Sequence, residues 1–305
     1  MVFPLNRGTS LHAFGPVADE QIQALCNELK VFMFGADQIS DSDPYLPARI
    51  WTPLLGVPRF KYQPDDSWSM IAFVAKSAGD ETYGSLAKNL SISLRAAGVR
   101  LRDASDQYHL QLKAALLNGQ KPGLRFSNVP LTDDLHLAFH SLLAELSSAR
   151  DYLAALAGQG IGAPQKVDAL NRLLDWISKP TNSHAFGDPL ISALLDDNDK
   201  RKSQSWLTEI GEYRNLFLHR RPLSSDEEAR WLRLREYDAG WGPVTTVEMR
   251  LSANSDTHQQ YEALERFVEL YRKMCRLAGF AADIAKYTPE PLAISAKDIL
   301  PGAAA

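Results

Sequence analysis

Cysteine is nearly missing from this chain: Cys26 and Cys275 are the two present, far apart in sequence. No disulfide framework and no CxxC metal knuckle can be built from such a pair, and each falls in a helix-like apolar pattern that reads as a buried free thiol. Long apolar runs are missing too. None approaches the ~20 residues that a membrane span needs, so no membrane partner is expected. The first residues, Met-Val-Phe-Pro-Leu-Asn-Arg, lack a basic stretch followed by an apolar core, and do not read as a signal peptide. A reducing cytoplasm fits these absences. Charge of one sign is not in large excess, at a formal −4, so a general nucleic-acid coat is excluded and any polyanion site must be local. Walker A, GxGxxG, GxSxG and EF-hand patterns are absent, which disfavours the common nucleotide-dependent enzymes and a bound cofactor. Gly240-Trp241-Gly242 reads as a turn rather than a phosphate loop.

What remains is an ordinary globular composition over 305 residues, 45% hydrophobic and 23% charged. That is enough for one large domain or two modest ones, each with a core. The most regular segment carries Leu135, Phe139, Leu142, Leu146, Ala149, Leu153 and Leu156, spaced 4, 3, 4, 3, 4, 3. This a/d seam predicts a long helix packed lengthwise on another, in an antiparallel bundle or, as the lesser reading, a dimeric coiled coil. Thr132 or Asp133 is suited to start it and Gly158 to end it. Other helices are expected near 18–34, from Ser69 or Asp80 to Ala97 with Gly98 as a stop, over 103–118 before Gly119, over 165–177 before Pro180, over 202–219, and from about Asp256 to Tyr287. Five prolines between 44 and 64 exclude a long helix there and predict a loop with at most a short strand. Residues 222–254 read as irregular, with a short strand over Thr245–Leu251. The fold class expected is all-α. Three regions are drawn: an N-terminal helical region of unknown role (1–125), a helical bundle (126–288) and a loose tail (289–305).

The run Glu212-Tyr213-Arg214-Asn215-Leu216-Phe217-Leu218-His219-Arg220-Arg221 carries the candidate chemistry. Asn215 and His219, four apart, share a helix face, whereas Arg214 lies about 140° round from His219 at α-helical pitch. Cleavage of an RNA phosphodiester without a metal needs a proton carrier that works near neutrality and a cation on the phosphate oxygens. Histidine and a guanidinium suit those tasks, and asparagine can hold the ribose or orient the imidazole. An attacking 2′-hydroxyl would restrict such chemistry to RNA. Between Lys200 and Arg235, nine basic residues face five acidic ones, a local +4 in a chain of −4. Arg220, Arg221 and Lys202 are the candidate RNA-binding cations within it.

At this run the sequence resembles the HEPN superfamily, whose mark is an Arg, four to six residues, then a His, often with a polar residue directly after the Arg. Arg7/His12 and Arg102/His109 also have such spacing. The run at Arg214 differs by its following Asn215, the amphipathic helix before it and the long helices on either side. The resemblance spans about 126–288 and implies a helical bundle of HEPN type. Many members are metal-independent endoribonucleases that dimerise so that two motifs line one cleft, and toxins and defence effectors are common among them. Carried over, His219 is the catalytic acid/base, Arg214 the phosphate ligand and Asn215 the polar helper. RNA, a second copy of the chain and an antitoxin or other regulatory protein are the partners implied. The alternative is a non-catalytic HEPN-like interaction or dimerisation protein, with Arg214 on the surface and His219, Arg220 and Arg221 serving only the helix dipole.

His136 and His140, four apart beside the seam, have metal-ligand spacing, with Asp133 near. Leu137 after His136 breaks the HExxH pattern. They are taken as supporting residues behind the candidate site, and no metal is assigned. Arg150-Asp151-Tyr152 reads as an interhelical ion pair, and Trp51, Trp68, Trp206, Trp231 and Trp241 as core or loop anchors.

Overall fold

Two long helices organise the molecule. The computed structural model describes residues 34–40, 48–54, 61–127, 129–199, 205–220, 222–238, 243–251 and 261–291, together with Gln21, Ala24 and Glu28, which are helical. Helix α1 (Pro64–Ser77) leads into α2 (Glu81–Leu117), and α3 (Val129–Gly160) returns antiparallel along α2. Asp80 starts α2 by accepting a hydrogen bond from Tyr83 N at 3.2 Å. All seven seam residues of α3 are buried. Each buried leucine contributes roughly 1.5–3 kcal/mol of apolar transfer, so the seam is a large share of the folding drive. Polar and aromatic contacts fix the register: Gln111 Nε2 donates to Thr132 Oγ1 at 3.1 Å, and Tyr108 meets Phe139 edge-on at 6.2 Å.

The expected stop at Gly98 is not there; α2 runs through it without a break. Gly98 instead allows a close approach. A Cβ at this position would stand 2.8 Å from the Tyr271 hydroxyl and 3.7 Å from Trp51 Nε1. Packing demand, rather than helix termination, accounts for the glycine.

Shorter helices cover the hairpin: α4 (Leu170–Ile177), a 3-10 segment (Pro180–Gly187), α5 (Pro189–Asn198), α6 (Trp206–Arg214) and α7 (Ala263–Asp283). Asp151 accepts from Leu170 N at 3.2 Å and so serves the start of α4. Arg150, its neighbour and ion-pair partner, reaches from α3 to the Leu207 carbonyl on α6 at 3.4 Å. Gly211 leaves room for that guanidinium, since a Cβ there would lie 2.5 Å from Nη1. Helix α7 closes the core through Phe267 against Phe139 at 4.8 Å and through the Trp68 Nε1 bond to the Ala278 carbonyl at 2.9 Å. A single apolar core crosses residue 125, because α2 and α3 bury their facing sides on one another.

The molecule is mainly helical, which is compatible with the expected all-α class, and it carries a few short strands besides. Strands β1 (Gly35–Ser40) and β2 (Ala48–Pro53) form an antiparallel hairpin in the proline-rich segment, and Arg272 of α7 donates to the Leu54 carbonyl at its end. Strands β3 (Arg125–Phe126), β4 (Leu232–Asp238) and β5 (Pro243–Met249) form an antiparallel sheet in that order. Leu232 and Leu234 face the core, while Arg233 and Arg235 alternate outward. Among the described residues no helix is long and apolar enough to cross a membrane. The tail beyond 291 lies outside the described residues.

Candidate functional site

Helix α6 buries Trp206, Leu207, Ile210 and Tyr213 against the bundle. Glu209, on the same helix, is held by the guanidinium of Arg266 on α7, which takes both carboxylate oxygens and also pairs with Glu269. After Arg214 the winding loosens into a π-helical turn, Asn215–Arg220, that ends before Pro222. A π turn bonds residue i to i+5, the interval that separates Arg214 from His219. The α-helical expectation of about 140° between them therefore does not hold. The looser winding brings residues five apart towards one side of the helix.

Within this turn Asn215, His219 and Arg220 are exposed and Arg214 is half-buried. No ion pair or side-chain hydrogen bond holds Arg214, Asn215 or His219 among the described residues. Phe217 points inward and is buried. Its ring lies parallel to Tyr213 at 5.5 Å and to His140 at 6.5 Å, so an aromatic column fastens the π turn to α3. Tyr213 meets Phe267 edge-on at 5.7 Å, which ties the column to α7. Arg221 and Lys202, the other candidate cations, lie outside the described residues.

His136 and His140 hold the segment that follows the turn. His140 Nε2 accepts from Leu223 N at 3.2 Å, and His136 Nε2 donates to the Ala229 carbonyl at 3.1 Å. A carbonyl only accepts, so His136 carries its proton on Nε2 and keeps a lone pair on Nδ1, which is buried without a hydrogen-bond partner. Burial depresses both imidazoles below the usual histidine range, and each also sits in the other's vicinity on one helix face. Asp133 on α3 and Asp226 on the clamped segment oppose that depression at His136. Asp226 is itself buried and accepts from the backbone of Glu228 and Ala229, each at 3.0 Å. The metal-like spacing of the two histidines is thus spent on hydrogen bonds, and neither Nε2 is available to an ion. Among the described residues no group of three or more His, Cys, Asp or Glu stands together as a ligand set.

Sequence reasoning missed the two elements that position this site. One is the column Tyr213–Phe217–His140, whose signal was present as the apolar stripe of α6 next to the seam. The other is the sheet, whose Leu-Arg-Leu-Arg alternation was hidden inside the basic run. A cleft of about 700 Å³, lined by Asp80, Leu86, Gln159, Lys166 and Asp168, lies at the opposite end of α3 from His136 and His140, so it is not part of this site. Comparison with protein-family profiles, with curated proteins and with solved structures finds no match to this chain.

Proposed function

We propose that this protein is a metal-independent endoribonuclease of HEPN type, working as a homodimer whose two motifs line one cleft. The observation that carries the reading is the π turn. It follows Arg214 directly and carries His219, five residues on and thus at the i to i+5 interval of π winding, at an exposed helix end, with no acid paired to either residue among the described ones. In this reading His219 takes the proton of the RNA 2′-hydroxyl as it attacks the adjacent phosphorus. The ester to the 5′-oxygen breaks, and that oxygen is protonated by the imidazolium of His219 or of its dimer counterpart. The products are a 2′,3′-cyclic phosphate and a 5′-hydroxyl. Arg214 holds the non-bridging oxygens as charge develops, Asn215 orients the ribose or the imidazole, and Arg220 with Arg221 and Lys202 binds flanking phosphates. His140 and His136 stand behind the turn and hold it in place. A protein that restrains the activity, such as an antitoxin, fits the same reading.

Cleavage of single-stranded RNA in EDTA tests it, with His219→Ala and Arg214→Ala at matched folding. Cleavage that survives chelation, fails on 2′-deoxy substrate and disappears in both variants is the expected result. Equal cleavage by all three proteins would refute the site. A second reading, a non-catalytic dimerisation or interaction protein, draws on the exposed Leu110 and Leu117 of α2 and Leu137 of α3. It predicts a dimer that persists in the motif variants and that Leu137→Ser weakens, with no cleavage by folded wild type.

A further inference from the structure

The outward face of the β3–β4–β5 sheet carries four arginines and two carboxylates. The register sets Arg125 opposite Arg233 and Arg233 opposite Glu248, in one row across three strands. Two guanidiniums side by side repel, and Glu228 offsets this by taking Arg125 on one oxygen at 3.1 Å and Arg233 on the other at 2.9 Å. Glu248 does the same for Arg235 and for Arg250, the latter at 3.6 Å. Cations and acids are not equally placed. The side chains of Arg125, Arg235 and Arg250 are 45%, 51% and 37% exposed, whereas Glu228 and Glu248 are 22% and 5% exposed. Arg233, at 21%, lies level with Glu228 and belongs with the two acids to the inner footing; Arg125, Arg235 and Arg250 form the outer layer, so a molecule approaching the sheet meets positive charge first. At Arg125, Arg233 and Arg250 the contact to the acid engages one terminal nitrogen of a group that has five N–H donors. Fixing the long side chains from below also removes much of the entropy cost of ordering them on a ligand. Glu236, by strand alternation, belongs to the other face.

This face is tied to the candidate site. The segment from Leu223 to Arg230, which joins the π turn to β4, is clamped to α3 by His140 and His136. Arg125 lies at the start of the same end of α3. Arg230, lying over Trp231 at 5.6 Å, continues the cationic edge between turn and sheet.

We infer that the outer face of the β3–β4–β5 sheet is a phosphate-binding ledge that carries single-stranded RNA to the π turn. The choice of RNA rests on the ribonuclease reading above; the ledge itself recognises phosphodiester oxygens, by bidentate guanidinium contacts that do not read base sequence.

The test is binding of a fluorescein-labelled single-stranded RNA to the full-length His219→Ala protein, which leaves the probe intact, followed by anisotropy across a salt series. Arg125→Gln with Arg235→Gln weakens binding severalfold for every sequence tried, and lowers the slope of log K against log salt by about 0.7 for each phosphate left without its arginine. Arg95→Gln removes an exposed arginine paired to Asp65 and Asp66 on α1, away from the sheet, and leaves affinity and slope unchanged. Arg235→Lys keeps the slope while losing part of the affinity, which separates a charged ledge from a merely structural role. A DNA strand of the same sequence shows the same loss in the double variant. Unchanged affinity and slope in a folded double variant would overturn the ledge. Failure of the ribonuclease reading looks different: wild type binds RNA through these arginines and never cuts it.

Discussion

The α2–α3 hairpin and the end of α6 are built on opposite principles. In the hairpin every seam position is buried, the winding is regular and the polar contacts, such as Gln111 to Thr132, lock one register. At the end of α6 the winding changes from α to π, and Arg214, Asn215 and His219 are left without ion pairs among the described residues, beside a buried aromatic column. The first arrangement maximises packing. The second leaves polar side chains in the open at the one helix end, among those described, where the backbone winds as a π turn. Stability and candidate chemistry are thus carried by different residues, with the column and the His136/His140 clamp as the mechanical link.

Four changes in stability sharpen that division, in falling order of effect. Phe139→Ala removes a fully buried ring that touches Tyr108 and Phe267, and costs about 3–5 kcal/mol in urea unfolding. A loss below about 1 kcal/mol would mean that the seam does not carry the core. Arg266→Ala strips Glu209 of its bidentate partner between α6 and α7; the pair is mostly buried, and the expected cost is on the order of 2 kcal/mol, between the exposed and deeply buried cases. Gly98→Leu forces a side chain into the space held by the Tyr271 hydroxyl and costs about 1–3 kcal/mol by thermal melting. A neutral result would restore the view that Gly98 is only a helix signal.

The smallest effect concerns pH. Burial holds His140 and His136 below the ordinary 6.5, so the unfolded chain binds protons there that the folded chain does not. Their contribution is fully present above about 6.5 and is lost as pH falls from there towards the lowered folded values. Protonation of His140 also turns the acceptor of Leu223 N into a donor. Melting temperature across about pH 5 to 7.5 should therefore drop more steeply in wild type than in His140→Gln, which keeps an acceptor and does not titrate. Parallel curves would remove His140 from the clamp.

Much of the packed region was legible because its determinants are local and periodic. The seam of α3 and the stripe Trp206, Ile210, Tyr213 and Phe217 are both buried as their spacing implies. Helix α5 had a readable start in Asp188, which accepts from Leu190 N and Ile191 N at 2.9 Å ahead of Pro189, yet its short length masked it. Strand pairing was harder. The hairpin β1–β2 depends on partners across a proline-rich loop, and β4 shows as alternation only once Arg233 and Arg235 are read as one face of a strand rather than as a run of charge. At the candidate site, residue identities were visible and their geometry was not. Nothing in Asn-Leu-Phe-Leu-His-Arg signals a π turn, because that winding is set by how Phe217 packs between Tyr213 and His140 and by where Pro222 ends the helix.

The most direct test pairs two readings on one variant, the melting temperature and the rate of RNA cleavage in EDTA for His219→Ala. An exposed histidine outside the core should leave stability within about 0.5 kcal/mol of wild type, while loss of a general acid/base lowers the rate by roughly 10²–10⁴-fold. A rate equal to that of wild type would contradict the account, because the end of α6 would then hold no catalytic group.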